Sequence, residues 1–192
     1  MPLISVLLLL LWGCSKVSSP GHVIKEVPIE GQILPNVQLQ TPKGNEDTRY
    51  LGVKDNDVFR ISQIDSPVII IEIFSMYCPY CQKAAPIVNE LYQHIQNDMN
   101  LKQKVKLIGI GVTNTPYETE TFRKNYDIQF PLFPDADGSI TRNFGILRTP
   151  YFIGVVNRNG KELQIVESKA GAFSDPKDFL DILMKKAELY HP

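Results

Sequence analysis

An α/β fold with a central mixed β-sheet flanked by helices is what this chain predicts, and three observations carry that expectation. Two long apolar runs, residues 68–74 and 105–112, suit strands buried on both faces. A segment of helical character follows each of them. Further on, the turn Asn157-Arg158-Asn159-Gly160 separates two apolar segments, which reads as a β-hairpin, and a closing helix follows.

The elements follow in chain order. Residues 3–12 form an apolar stretch far below the roughly 20 residues of a spanning helix, so they read as a signal-peptide core. Residues 15–35 are rich in Ser, Pro and Gly without sustained periodicity and read as a tether. Residues 48–53 and 58–61 are expected as short strands around the polar turn Lys54-Asp55-Asn56-Asp57, an N-terminal hairpin. Cys78 opens a helix with Ala84, Ile87, Val88, Leu91 and Ile95 on one stripe, and Pro86 inside it is expected to kink it. Thr115-Pro116-Tyr117-Glu118 is a capping box with proline at the first helical position, announcing a helix to about Tyr126. A short strand at 130–133, a short helix at 139–144 and the hairpin of 151–156 with 161–166 come next. The last helix starts at Ser174-Asp175-Pro176 and carries Phe179, Leu183, Ala187 and Tyr190 on one face.

Composition sets the limits. With 192 residues, 43% hydrophobic and 21% charged, one compact domain is expected, assigned to residues 36–192. A net charge of −1 gives no electrostatic case for nucleic acid. The stretch Leu11-Trp12-Gly13-Cys14-Ser15 resembles a bacterial lipoprotein signal. That resemblance implies that residues 1–13 are removed and that Cys14 carries lipid at the head of a tether over 14–35. It also implies a membrane-anchored lipoprotein in the periplasm or another extracytoplasmic space, where disulfides persist.

Only two other cysteines exist, Cys78 and Cys81, held as Cys78-Pro79-Tyr80-Cys81 after an apolar run and at the start of a helix. A thiolate at a helix N-terminus is favoured by the dipole and the free amides there. A second thiol one turn on can displace whatever the first has bonded. The pattern therefore points to thiol redox chemistry, with two duller readings beside it. Half a zinc site would need two further ligands, and His22, His94 and His191 are scattered. An inert structural disulfide across so short a loop would constrain the unfolded chain little. Glu72 stands inside the run 68–74, where a lone carboxyl is costly without a partner or a task.

The segment from Glu72 to Pro86 resembles the active-site region of the thioredoxin superfamily. Four positions carry the likeness: an acid six residues before the first cysteine, the Cys-x-x-Cys, a proline five after the second cysteine, and the later Thr149-Pro150 before a strand. Phe130-Pro131 through Asp135, Asp137-Gly138, Phe144-Gly145 and Asn159-Gly160 are similar to the TlpA/ResA-like branch, related to AhpC/TSA proteins, which inserts a helix and strand before that Thr-Pro. The resemblance implies a thioredoxin-like fold and an exported thiol–disulfide oxidoreductase acting on protein thiols and disulfides, in the reducing direction, with a membrane thiol carrier as electron donor. It implies that Cys78 attacks, Cys81 resolves, and Glu72 deprotonates Cys81. Pro150 is expected in cis, bringing the Thr149 backbone to the substrate, with Pro79 and Tyr80 alongside. No cofactor or metal is implied beyond a redox-active Cys78–Cys81 disulfide. Where many TlpA/ResA-like members have an amide, this chain has Glu72, and where others have a glutamate soon after the second cysteine it has Ala84. An acid at that site, with Ser75 before the first cysteine, looks closer to the oxidants related to DsbA.

Two other readings stand beside this one. A peroxiredoxin-like peroxidase would use Ser75, three before Cys78, and Arg148, although Ile71 stands where that pattern has proline. A copper-binding assembly factor on the same fold would space its cysteines one residue wider and add a distant histidine.

Overall fold

The structure, a computed structural model, describes residues 27–190. The leader 1–13, Cys14 with its lipidation, and the tether as far as residue 26 lie outside the described residues. Within them the chain runs β1 (Ile33–Leu34), β2 (Gln38–Gln40), α1 (Asn45–Leu51), β3 (Val58–Arg60), a short 3-10 turn (Ile61–Gln63) and β4 (Val68–Phe74). It continues through α2 (Pro79–Asn97), α3 (Met99–Lys104), β5 (Val105–Val112), α4 (Pro116–Asn125), β6 (Leu132–Asp135) and α5 (Ser139–Phe144). It closes with β7 (Tyr151–Arg158), β8 (Glu162–Ala170) and α6 (Pro176–Tyr190).

Six strands form one sheet in the order β1-β8-β7-β4-β5-β6, and β2 pairs with β3 in a separate two-stranded sheet. The large sheet is mixed because β4 lies parallel to β5 and antiparallel to β7. All seven residues of β4 are buried, which is why the strand reads as a continuous apolar run. Strand alternation then sorts its side chains. Val68, Ile70 and Phe74 pack with buried residues of α2, α4 and α6, whereas Ile69, Ile71 and Ile73 pack with those of α1, α5 and β3. Glu72 shares the parity of the first set, so it belongs to the α2 side of the sheet.

Helix α2 takes Pro79 as its first residue and continues through Pro86 as a single helix. Ala84, Val88, Leu91 and Ile95 are buried, and Ile87 is partly buried against the same core. The capping box opening α4 is present, with Thr115 Oγ1 accepting the Glu118 amide and the Glu118 carboxylate accepting the Thr115 amide. The hairpin turn, residues 159–161, has Asn159 at φ 53° and Gly160 at φ 68°, and the Lys161 amide donates to the Arg158 carbonyl.

Four expectations need correction. The segment 48–53 is not a strand: α1 occupies Asn45–Leu51, with Glu46 and Asp47 in its first turn and Gly52 at φ 65° ending it. The N-terminal hairpin is therefore replaced by β2 pairing with β3 across α1, Leu39 opposite Phe59. The strand expected at 130–133 lies at Leu132–Asp135, because Gly109 pairs with Leu132 while the Pro131 carbonyl accepts the Gly109 amide. The folded unit also begins before residue 36. Leu34 is buried and β1 pairs with β8, while Lys186 of α6 bridges Glu30 and Glu167. The hairpin strands run longer than expected, to Arg158 and Ala170.

Strand β5 extends past the reach of β6, which pairs only from Gly109 onward. Leu107, with the same parity as Gly109, faces that unpaired side. Tyr50 fills the place: its hydroxyl accepts the Leu107 amide at 2.8 Å and donates to the Leu107 carbonyl at 3.4 Å.

Candidate active site

The carboxyl end of β4 delivers the chain into a turn, Ser75 to Cys78, and α2 starts on the next residue. The turn is clamped from two sides. The Met76 amide donates to Asn114 Oδ1 at 2.8 Å, and the Met76 carbonyl accepts Gln82 Nε2 at 2.8 Å. Asn114 is fully buried just beyond β5, whose end lies beside that of β4 because the strands are parallel and Phe74 pairs with Gly111. Tyr77 donates its hydroxyl to Glu118 of the α4 capping box.

Cys78 occupies the N-cap position of α2 and is partly exposed, and Cys81 one turn later has no exposed surface. Both are free thiols. Their electrostatics diverge. Partial burial opposes ionisation of Cys78, but contacts with Thr149, with the Cys81 amide and thiol and with the Tyr80 amide outweigh it, holding its pKa below the ordinary 9.0. Desolvation pushes Cys81 up to about 12, and the negative charge of Glu72 adds to the rise.

Glu72 lies under this pair, 1% exposed, with neither carboxylate oxygen hydrogen-bonded to protein. Burial alone raises its pKa from 4.5 to about 8. A carboxyl so placed is a proton carrier available near neutral pH, and its charge reaches Cys81.

The Thr149–Pro150 peptide is cis, and the Thr149 carbonyl accepts the Cys78 thiol at 3.4 Å. Cys78, Cys81, Glu72, Thr149 and Pro150 therefore meet at one corner although 78 positions of sequence separate Glu72 from Pro150. Pro79 and Tyr80 are exposed beside them, Tyr80 at 72%. A groove of about 750 Å³ starts here, floored by Ala84, Ile87 and Phe173 and rimmed by Tyr80, Lys83 and Arg148. His94 is far along α2, close to Glu90, and among the described residues no group of three His, Cys, Asp or Glu side chains could hold a metal ion. Ser75 Oγ accepts the Tyr77 amide within its own turn.

Asn114 and Gln82 escaped the sequence reading. The available signal was positional: a polar residue just past one buried strand must neighbour the loop past the adjacent parallel strand. Lys83 as a groove residue carried no sequence signal, since a lysine on a helix is ordinarily a solvated one.

ResA thiol-disulfide oxidoreductase of Bacillus thuringiensis subsp. konkukian is 25% identical over 118 residues, which cover 62% of this chain and 62% of that protein. Its counterpart in Bacillus subtilis is 21% identical over 142 residues, 74% of this chain and 69% of the relative. Among solved structures, the thioredoxin domain of a thiol-disulfide oxidoreductase from Bacteroides vulgatus superposes with a TM-score of 0.59 at 13% identity, covering 86% of this chain and 99% of that one. A secreted Mycobacterium tuberculosis disulfide oxidoreductase homologous to Escherichia coli DsbE gives 0.54 at 16% identity, covering 78% and 96%. These superpositions establish a thioredoxin-like fold. The sequence model of the AhpC/TSA family matches residues 31–167, from the first edge strand through most of the C-terminal hairpin and across every residue of the corner described above. The chain belongs to the AhpC/TSA family, within the thioredoxin superfamily.

Proposed function

We propose that the chain is a thiol–disulfide oxidoreductase that reduces disulfides in protein substrates through Cys78 and Cys81. The observation that carries this reading is the asymmetry of the pair: one accessible sulfur with its thiolate favoured, one sealed sulfur with its thiol favoured. That division suits an attacking and a resolving thiol. The Cys78 thiolate attacks a substrate disulfide, forming a mixed disulfide and releasing one substrate sulfur, which takes up a proton. Cys81 then gives its proton to Glu72 and attacks the Cys78 sulfur. The second substrate sulfur leaves, Cys78 and Cys81 become a disulfide, and two electrons have passed to the substrate. Thr149, beside the cis bond, offers backbone for strand-like pairing with an extended substrate, and Pro79 and Tyr80 line its approach.

The same reading places the protein outside the cytoplasm, held at a membrane by lipid on Cys14 and recharged by a membrane thiol carrier. Support for export comes from the leader pattern and from the secreted mycobacterial protein of the same fold. Among the described residues no helix is long and apolar enough to cross a membrane. The reducing direction rests on the TlpA/ResA-like pattern of the downstream half.

Substrate trapping tests the chemistry. The Cys81→Ser variant should accumulate covalent adducts on Cys78 from an extract of exported proteins, and Cys78→Ser should accumulate none. An empty Cys81→Ser trap would refute the assignment. Equilibration against a glutathione series tests direction: a potential below about −220 mV fits a reductant, and one near −120 mV an oxidant. Peroxide consumption no faster than that of a free thiol is expected, and fast consumption would favour the peroxidase instead.

A further inference from the structure

The groove lined by Tyr80, Thr149 and Pro150, beside Cys78, has a one-signed rim. Lys83 lies five residues past Cys78 on α2, and Arg148 immediately precedes Thr149, whose carbonyl contacts the Cys78 sulfur. Both are exposed and both line the groove, and no acidic side chain lines it. Among the described residues neither cation has a hydrogen-bond or ion-pair partner. Three other cations are held in ion pairs, Arg123 with Asp47 and Glu120, Lys124 with Glu120, and Lys186 with Glu30 and Glu167, whereas Lys83 and Arg148 stay available to a ligand in the groove. The chain as a whole carries a net charge of −1, so a doubly positive rim beside the reactive sulfur is a local feature rather than a general bias. Beneath the rim the floor is apolar and shallow, made by Ala84, Ile87, Phe173 and the small residues Ala170 to Ala172.

We infer that this groove selects extended client segments carrying carboxylates within a few residues of the reactive cysteine. The inference rests on the thiol–disulfide reading above and names the class of substrate. The apolar floor accepts a small or aliphatic side chain of the segment, and Lys83 and Arg148 receive its carboxylates. Such exposed charges act chiefly on encounter and register, and weaken as salt shortens their reach to about 8 Å at 0.15 M. The chemistry is unchanged: Cys78 bonds one peptide sulfur, the other leaves as a thiol, and Cys81 completes the two-electron reduction.

Three cyclic peptide disulfides test this, identical except for Glu, Gln or Lys at two positions beside the cysteines. Their rates of reduction by the reduced full chain are divided by their rates with dithiothreitol, because flanking charge alters the leaving thiol by itself. The acidic peptide should be reduced about 3- to 10-fold faster than the basic one, as expected for two exposed charge pairs. The preference should shrink with salt, invert in the Lys83→Glu/Arg148→Glu double variant, and vanish in Lys83→Gln/Arg148→Gln. Equal normalised rates, or a preference that either double variant leaves untouched, would overturn the inference while reduction of the Gln peptide upholds the oxidoreductase reading. If no peptide is reduced by a protein whose thiols are intact, both fall together.

Discussion

Glu72 holds a carboxyl where neither oxygen finds a protein partner, and its pKa of about 8 against an ordinary 4.5 makes folding favour the protonated acid. That contribution is fully present below about pH 4.5 and is lost as pH rises through about 8, at up to about 1.4 kcal/mol per unit. The Glu72→Gln variant should therefore show a flatter dependence of its urea midpoint on pH across that window, and parallel curves for the two proteins would contradict it. The same change should slow release of substrate from the Cys78 mixed disulfide by about 10²-fold in single-turnover experiments, as loss of a general base does. At this scale the sequence was informative wherever a residue broke its surroundings: two cysteines at a helix start, or one acid in an apolar strand. Asn114 broke nothing, because a polar residue after a strand is unremarkable until the parallel partner strand is known.

The elements around the site tolerate little change of shape. Asn114→Ala would strip the Met76 amide of its acceptor and loosen the turn that presents Cys78, at a cost of about 1–3 kcal/mol. A lowered melting midpoint, together with a shifted pH profile for alkylation of Cys78, is the expected result. In β7, a methyl group on Gly154 would come within 2.3 Å of Leu183 Cδ1 and 3.0 Å of Glu167 Cβ, so Gly154→Ala should destabilise by about 1–3 kcal/mol in chemical denaturation. Strands β4 and β5 and helix α5 were legible to the residue, since continuous apolar runs and the flanking glycines define them. Helix α1 was not. Thr48, Tyr50 and Val53 favour strand by propensity, and the acidic first turn with Gly52 outweighed them. Strand β6 slid by two residues because its register is set by Gly109 across the sheet, which local pattern does not encode.

For the whole molecule, the mixed sheet between helices followed from element order alone, whereas the start of the folded unit did not. Serine, proline and glycine in residues 15–35 read as a tether, yet Leu34 is 1% exposed and β1 closes the edge of β8. A chain beginning at Asn36 should lose about 2–5 kcal/mol relative to one beginning at Val27, from the buried leucine and the lost edge pairing. Equal denaturation midpoints for the two would place the boundary where composition suggested. The other side of the sheet has its own closure in the Tyr50 hydroxyl seated on Leu107. Without that oxygen one amide and one carbonyl of a buried strand would stand unpaired, so a single phenol spares the interior two orphaned polar groups.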